Sequence, residues 1–212
     1  MAGTSPRLVL ASTSASRLSI LRSAGVEPEV APSGVDEDAV VAALHNPSPD
    51  DVVRALATAK ARSVAQDYLP DNTSEQLPEG LVVVGADSML LIDGELQGKP
   101  HTEEETIRRW RNQRGRTAEL ITGHAMMADS LVFTEVSRTR IQFAQATDED
   151  IAAYAATGEP FGCAGAFTLE ALGGWFIDRI EGDPSSVIGL SLPVLRRGLT
   201  VFGFHVSQFW NR

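Results

Sequence analysis

The stretch Leu81–Val82–Val83–Val84–Gly85–Ala86, which runs into Asp87–Ser88, decides the fold class of this chain. It is an unbroken apolar run with three valines, and such a run is typical of a strand whose two faces are both buried. The residues after it, 89–92, Asp93–Gly94 and 95–97, have the pattern of a hairpin closed by an Asp-Gly turn. We therefore expect a central buried strand over 81–86, with the carboxylate of Asp87 at its end.

Strands and helices alternate outward from this run. An apolar run at 7–11 predicts a strand, and helical spacing of apolar residues then continues to Gly25, which is suited to end a helix. Ser48–Pro49–Asp50–Asp51 predicts a helix start with a serine cap, and that helix should reach about Tyr68. Further predicted elements are a strand over 27–32, a helix opened by Thr102, a hairpin over 117–128 and 130–144, a helix over 147–156, a strand over 175–180, a helix over 193–199 and a strand over 204–209. This order, with hairpins among parallel-type crossovers, predicts an α/β or α+β class.

The composition excludes several classes of protein. The chain has 212 residues, 43% hydrophobic and 22% charged, as in a folded globular protein, and its net charge of −10 disfavours extended nucleic acid and anionic membranes as partners. No apolar run approaches the roughly 18 residues of a membrane span, and Met1–Arg7 shows no secretory signal. The single cysteine, Cys163, excludes an internal disulfide framework. We expect a soluble cytoplasmic protein with one domain over 1–212 and a flexible polar connection at 69–80.

Lysine is scarce in this chain, so its two occurrences are candidate functional residues. Of the 18 basic residues, 16 are arginine, and only Lys60 and Lys99 are lysine. A compact ammonium is not interchangeable with a guanidinium where a point charge must reach a phosphate. Lys99 lies between Gly98 and Pro100, and such a loop could present the ammonium from a rigid position. Chance composition is the competing interpretation, because two residues are a small sample.

Three carboxylates stand out by their surroundings. Asp87 follows a buried strand, where open α/β sheets place ligands, and it could hold a metal ion or accept a proton from water. A turn residue or a helix cap is the alternative interpretation of Asp87. Glu37 ends a predicted loop over 33–37 and lies in the acidic stretch 36–38, and such charged runs are usually only solvated. Glu170 lies in the apolar segment 164–170, where a carboxylate is costly unless it accepts hydrogen bonds from a ligand or pairs with a structural arginine.

The segment 12–17, between the first predicted strand and helix, is rich in hydroxyl groups. Helix N-termini bind anions through free N–H groups, and Ser12, Ser14 and Arg17 add donors. The segment has no glycine and is not a Walker loop, so an ordinary helix cap is the competing interpretation. Together with the two lysines it indicates a ligand that carries phosphate groups. These residue types do not by themselves identify a reaction.

Short motifs occur in a specific order along the whole chain. They are Leu10–Ala11–Ser12–Thr13–Ser14, Arg17, Val35–Asp36–Glu37, Ala59–Lys60–Ala61, Gly85–Ala86–Asp87–Ser88, Gly98–Lys99–Pro100, Thr122–Gly123, Tyr154 with Gly158, Cys163–Ala164–Gly165–Ala166–Phe167, Ile180–Glu181–Gly182 and Ile188–Gly189–Leu190. In their order and spacing the chain resembles the Maf family of nucleoside triphosphate pyrophosphatases. The resemblance implies a Maf/ITPase-like α/β fold, with a central mixed sheet flanked by helices and a cleft between two lobes. It also implies a homodimer that hydrolyses the bond between the α- and β-phosphates to a nucleoside monophosphate and pyrophosphate, with a divalent cation, Mg²⁺ or Mn²⁺.

The resemblance further implies roles for residues at matched positions. Asp87 would accept the proton of the attacking water, and Glu37 and Asp87 would place the metal. The substrate would be held by Ser12, Ser14, Arg17, Lys60, Lys99 and Glu170. Because a triphosphate carries about four negative charges, an acidic protein must concentrate its cations locally. We therefore expect Lys60 and Lys99 to converge on one cleft with Arg17.

Three positions depart from the pattern of family members that are selective for dTTP and UTP. Those members have a second arginine, a threonine and a glutamine where this chain has Ser16, Ser88 and Glu170. A glutamate accepts hydrogen bonds from guanine N1–H and N2–H₂, whereas a glutamine can both donate and accept. The departures favour a guanine-type or modified base, such as 7-methylguanine, and the removal of modified or non-standard nucleotides.

Two other functions stay open at this point. The family is also linked to arrest of septum formation, so the chain could be a nucleotide-binding regulator of cell division without turnover. It could instead be a phosphatase that releases orthophosphate from a small metabolite. The presence of Asp87, Lys60 and Lys99 favours the pyrophosphatase, because a pure regulator does not need a side chain that accepts a proton from water.

Overall fold

One sheet of seven strands forms the centre of the computed structural model, which describes residues 5–70 and 76–211. The strands are β1 (Arg7–Leu10), β2 (Glu29–Val30), β3 (Leu81–Ile92), β4 (Glu95–Gln97), β5 (Thr117–Ala128), β6 (Leu131–Phe143) and β7 (Ile177–Glu181). Their order across the sheet is β2-β1-β3-β5-β6-β7, and β4 pairs with the end of β3. β1 is parallel to β2 and β3, and the other pairs are antiparallel. The expected mixed sheet is therefore confirmed.

Helices flank the sheet, and polar caps explain where they begin. They are α1 (Ala15–Ser23), α2 (Glu37–Ala42), α3 (Pro49–Gln66), α4 (Glu103–Gln113), α5 (Asp148–Ala156), α6 (Pro184–Ile188) and α7 (Leu192–Val201). The longest, α3, starts with Pro49 and a reciprocal capping box between Ser48 and Asp51, which satisfies backbone donors that the helix leaves unpaired. Three short 3₁₀ turns, at 159–162, 164–166 and 172–176, follow α5.

The first lobe is built on the two faces of the sheet around β1 and the start of β3. Val82 and Val84 of β3 pack with α1 and α7 on one face. Leu81 and Val83 alternate with them and pack against α3 on the other face. Because neighbouring side chains of a strand point to opposite faces, the unbroken apolar run of β3 is explained by helices on both sides.

The second lobe is built around the far end of the same central strands. Its core contains Leu90 of β3, Leu120 of β5, Phe143 of β6 and the fully buried Trp110 of α4. The Trp110 ring makes edge-on contacts with Phe143 and Tyr154, at centroid distances of 5.5 and 5.7 Å. A cleft of about 700 Å³ is lined by residues of both lobes, as the two-lobed architecture predicts.

Asp87 does not lie at a strand end, and that prediction was wrong. β3 continues through Asp87 to Ile92, because β5 pairs along it and places Gly123 opposite Asp87. The strand that ends here is β1, whose last residue Leu10 pairs with Val84. After Val84, β3 has no pairing with β1, because β1 has already ended. The cleft lies at this carboxyl end of β1.

Two other local predictions need correction. Glu37 begins the short helix α2, capped by the Asp36 side chain, instead of lying in a loop. The segment 204–209 is a turn and not a strand, because Gly203 has a positive φ of 81° and the Phe204 N–H donates to Leu199 O at the end of α7. Its apolar residues pack instead on the core of the first lobe.

The predicted connection at 69–80 falls partly outside the described residues, which omit 71–75. Within it, after the omitted residues, Leu77 is buried and its N–H donates to Asp129 O at 3.1 Å. None of the helices in the described part of the chain has the length and apolar content that a membrane crossing needs.

Candidate active site

All eight residues predicted for the site line one cleft. They are Ser12, Ser14, Arg17, Glu37, Lys60, Asp87, Lys99 and Glu170. These residues come from separate elements, namely the β1–α1 turn, the first turn of α1, the start of α2, the middle of α3, β3, the loop after β4 and the turns before β7. The sheet and its crossovers therefore bring together side chains that are up to 158 positions apart in sequence.

Two strand glycines allow α3 to approach the sheet closely enough to complete the site. A Cβ atom on Gly85 would lie 2.4 Å from the Ala57 carbonyl oxygen, and one on Gly123 would lie 2.2 Å from the Val53 carbonyl oxygen. Neither position can carry a side chain without displacement of the α3 backbone. This close packing brings Lys60, one turn after Ala57, onto Asp87.

The Lys60 ammonium bridges the two carboxylates of the cleft. Its Nζ lies 2.6 Å from Asp87 Oδ1 and 2.8 Å from Glu37 Oε1. Lys60 and Asp87 are both buried, so each charge depends on the other for compensation. Although partial burial opposes it, the hydrogen bond from Lys60 lowers the pKa of Glu37. Both carboxylates are thus held in contact with one cation.

Asp87 Oδ2 is the unpaired atom of this group. It is buried and accepts no hydrogen bond from any described residue. A buried carboxylate oxygen without a donor is costly, and such an atom in a native site usually has a ligand, water or ion as its partner. Asp87 therefore has one oxygen fixed by Lys60 and one available for chemistry.

Arg17 is held in a fixed orientation at the carboxyl end of β1. Its Nε donates to Gly189 O at 2.8 Å, Nη1 to Ser12 Oγ at 3.3 Å and Nη2 to Ser88 Oγ at 3.4 Å. Burial lowers the pKa of Arg17, and the carboxylates of Asp87 and Glu37 act in the opposite direction. The guanidinium stays protonated, since an arginine in a protein does not lose its proton.

Ser14 caps α1 beside this guanidinium. Its Oγ accepts from the Arg17 N–H at 3.4 Å, and its own N–H donates to Ser12 Oγ at 3.1 Å. The cap interpretation of the hydroxyl-rich segment is therefore correct for Ser14. The same segment also lines the cleft, so capping and ligand binding are compatible roles for it.

The loop that carries Lys99 is fixed from α4. Gly98 O accepts from Arg109 Nη1 at 2.6 Å and from the Gly165 N–H at 3.2 Å. Glu105 orients Arg109 through a contact of 2.6 Å, and its hydrogen bonds with Arg108 and Arg109 lower its pKa to about 2. Lys99 itself is exposed at the mouth of the cleft.

The remaining wall carries Cys163, Thr168 and Glu170. Burial raises the pKa of the Cys163 thiol to about 11, so Cys163 is not an activated nucleophile. Glu170 is exposed and accepts from the Leu169 N–H at 3.1 Å. No arginine of residues 5–70 and 76–211 pairs with Glu170, and a structural ion pair does not explain its position.

Two polar residues that support the site were not predicted from the sequence. His124 is fully buried in β5, and its Nε2 accepts from the Ser191 N–H at 2.9 Å in the loop that also carries Gly189. Glu159 contacts Thr168 on the wall of the cleft. Both residues act through partners distant in sequence, which spacing alone does not reveal.

The donor set fits a divalent cation. Mg²⁺ is usually held by one or two carboxylates together with substrate oxygens and water, and Glu37 and Asp87 supply two carboxylates around the free Asp87 Oδ2. No cluster of three or more His, Cys, Asp or Glu residues suited to a metal occurs in the described ranges. A cation here would therefore depend on the ligand for several of its oxygens.

Comparison with known proteins identifies the family of this chain. The sequence model of Maf-like proteins matches residues 7–202. A nucleoside triphosphate pyrophosphatase of Corynebacterium aurimucosum is 64% identical over 204 residues, 96% of this chain and 98% of the relative. That of Corynebacterium efficiens is 61% identical over 206 residues, 97% of this chain and 100% of the relative. A Ham1 protein structure from Staphylococcus aureus covers 66% of this chain and 73% of its own, with a TM-score of 0.42 and 13% identity, a likeness too slight for any argument. On the family match and these identities, the chain belongs to the Maf family.

Proposed function

We propose that this protein is a nucleoside triphosphate pyrophosphatase that hydrolyses the α–β phosphate bond and yields a nucleoside monophosphate and pyrophosphate. The observation that carries the proposal is the buried Asp87, with one oxygen on Lys60 and the other unpaired in a cleft lined by cations. The relatives described above carry the same name. Nothing in the site favours a nucleotide-binding regulator without turnover.

The charges of the cleft suit a triphosphate. Arg17, Lys60 and Lys99 bring three cations to one cavity in a chain of net charge −10. A triphosphate carries about four negative charges, so local concentration of cations is what binding requires. Ser12 and Ser14 add hydroxyl groups and the N-terminus of α1 on the same side.

The chemistry assigned to Asp87 is that of a general base. Asp87 Oδ2 takes a proton from water, whose oxygen forms a bond to phosphorus while the anhydride bond breaks and pyrophosphate leaves. Lys60 holds Asp87 in a fixed orientation through Oδ1. Glu37 and Asp87 would hold Mg²⁺ or Mn²⁺, which when bound neutralises phosphate charge and polarises the phosphoryl oxygens.

The first test is pyrophosphate release from a panel of nucleoside triphosphates with Mg²⁺ or Mn²⁺. The Asp87→Asn variant should lose at least about 100-fold in kcat, since a positioned base contributes roughly 10²–10⁴-fold. Asp178→Asn, an exposed carboxylate outside the cleft, is the matched control and should keep full activity. Equal turnover by Asp87→Asn would contradict the catalytic role, and orthophosphate as the first product would favour a phosphatase.

The preferred nucleobase of the substrate is part of the same proposal. Glu170 at the mouth of the cleft is an acceptor that suits guanine N1–H and N2–H₂. The panel therefore includes GTP and 7-methyl-GTP beside UTP and dTTP. A preference for the pyrimidines would contradict the assignment of Glu170.

The assembly and location are further parts of the proposal. We infer a single domain, because β3 and β5 contribute to the cores of both lobes. The family resemblance supports a cytoplasmic homodimer. Light scattering on the purified full chain measures the mass in solution, and a value near 22.7 kDa would contradict the dimer.

A further inference from the structure

Glu159 is the centre of a hydrogen-bond cluster beside the cleft. Its Oε1 accepts from the Thr168 hydroxyl, from Tyr154 OH at 3.2 Å and from the Gly173 N–H at 3.1 Å, and its Oε2 accepts from the Leu172 N–H at 3.2 Å. Although partial burial opposes it, these hydrogen bonds lower the pKa of Glu159. One carboxylate thus satisfies two hydroxyl groups and two backbone donors.

The cluster closes the loop 168–173 on itself. The Thr168 N–H donates to Tyr154 OH at 3.2 Å, and the Gly173 N–H is also 3.3 Å from Thr168 Oγ1. A Cβ on Gly173 would lie 2.4 Å from Thr168 O and 2.6 Å from Tyr154 OH, so the two ends of the loop are in close contact. Glu159 therefore fixes both ends of a six-residue loop.

That loop contributes part of the wall of the cleft. Thr168 and Glu170 line the cavity. The cations Arg17 and Lys60 lie beside Asp87 on other elements of the cleft, and a phosphate chain is attracted to them. Glu170 repels phosphate, so the uncharged part of a nucleotide is the part that can lie against this loop.

We propose that Glu159 is a positioning residue that sets selectivity for the nucleobase, by holding Thr168 and Glu170 in place on the wall of the cleft. This inference rests on the proposed function, because it assigns the wall to the base of a nucleoside triphosphate. Glu159 does not line the cleft itself and acts through the loop.

The test uses the full chain with Glu159→Gln, and with Glu149→Gln as the matched control. A glutamine has the same shape but only one acceptor oxygen, so it cannot satisfy the donors at both Oε1 and Oε2. Glu149 is exposed in α5, the helix before Glu159. Two quantities are measured: the ratio of kcat/KM for GTP to kcat/KM for UTP, and hydrogen exchange of peptides that cover 163–176.

The selectivity ratio separates positioning from folding, because a smaller fraction of folded enzyme lowers both kcat/KM values equally. We expect Glu159→Gln to change the ratio by about fivefold, the equivalent of one hydrogen bond, mainly through KM. We also expect faster exchange limited to 168–173, and no change of either quantity in Glu149→Gln. An active variant with an unchanged ratio, or unchanged exchange in the loop, would overturn the inference. Failure of the wild type to cleave any nucleoside triphosphate overturns the proposed function instead, and the exchange measurement still decides whether Glu159 holds the loop.

Discussion

The Lys60 ammonium lies between two carboxylates, 2.6 Å from Asp87 and 2.8 Å from Glu37. This position explains why a lysine occurs here in a chain that otherwise uses arginine, since a compact ammonium fits between two oxygens in a buried space. Lys99, the other lysine, is exposed at the mouth of the same cleft. The two lysines therefore have different structural contexts, which predicts different effects of the same substitution.

Lys60→Met should lower both stability and activity. Removal of one partner of a buried ion pair typically costs about 3–5 kcal/mol, and Asp87 would be left buried without compensation. Lys99→Met is the matched control, and it should raise KM while the free energy of unfolding changes by less than about 0.5 kcal/mol. Urea denaturation and steady-state kinetics measure both effects. Equal stability of the two variants would show that the Lys60–Asp87 pair is not important for folding.

His124 predicts a dependence of stability on pH. Burial, followed by repulsion from Arg17, lowers its pKa from 6.5 to about 4. The unfolded chain therefore takes up a proton at a higher pH than the folded chain, and stability falls as the pH decreases from 6.5 to about 4. The full loss is about 3 kcal/mol from this residue, at roughly 1.4 kcal/mol per pKa unit.

The measurement is the free energy of unfolding in urea at pH 7 and pH 5 for the wild type and for His124→Gln. The glutamine can accept from the Ser191 N–H but does not titrate, so the variant should lose this part of the pH dependence. His101→Gln, at an exposed position, should behave as the wild type. If the free energy of unfolding changed equally between pH 7 and pH 5 in all three proteins, His124 would be excluded as the origin of the pH dependence.

At the scale of elements, the packing of α3 on β3 and β5 sets the geometry of the site. α3 supplies Lys60, β3 supplies Asp87, and the glycines at Gly85 and Gly123 remove the side chains that would separate them. A side chain at either position would displace the α3 backbone away from the sheet. The Lys60–Asp87 contact thus depends on residues that have no reactive group.

Gly123→Ala should move α3 and impair the site. The new Cβ would lie 2.2 Å from Val53 O, and overpacking of this kind costs about 1–3 kcal/mol. Because the helix must shift, we expect kcat to fall by at least about tenfold in the folded fraction. Gly162→Ala adds a methyl group where no atom lies within 4 Å and is the control. Normal kcat in Gly123→Ala would show that the Lys60–Asp87 contact tolerates movement of α3.

At the scale of the whole molecule, the cleft is lined by both lobes, so a ligand in it contacts both. A ligand that binds only the folded protein stabilises it by about 2.7 kcal/mol at a concentration 100 times its Kd. A non-hydrolysable nucleoside triphosphate analogue with Mg²⁺ should therefore raise Tm by several degrees, and Arg17→Met should reduce that shift. The same analogue without its phosphates is the control. An equal shift from the control would contradict a phosphate site at Arg17.

Part of the fold and of the site was predictable from local chemistry. The helix starts at Ser48 and Thr102 follow from side-chain caps. The Asp93–Gly94 turn follows from the residue types, because aspartate and glycine accept the positive φ angles of 54° and 81° that the turn has. The turn at 204–209 was not predictable, since its apolar residues have the alternation of a strand but are explained by packing. Glu37 was predicted as a site residue, but the helix α2 that it begins was missed, because no residue of α2 is buried and no apolar pattern marks it.

Local sequence patterns were enough to predict most of the helices and strands and the residue types available to the site, because caps, turns and apolar periodicity act between near neighbours in the chain. Its motif order also indicated the family. Three features became clear only from the tertiary structure: Asp87 lies inside β3 beside the end of β1, Lys60 joins it to Glu37, and Glu159 accepts a hydrogen bond from Thr168 on the wall of the cleft. The physical reason is that these contacts depend on helix-to-sheet distance and strand register, which are set by packing between segments far apart in sequence.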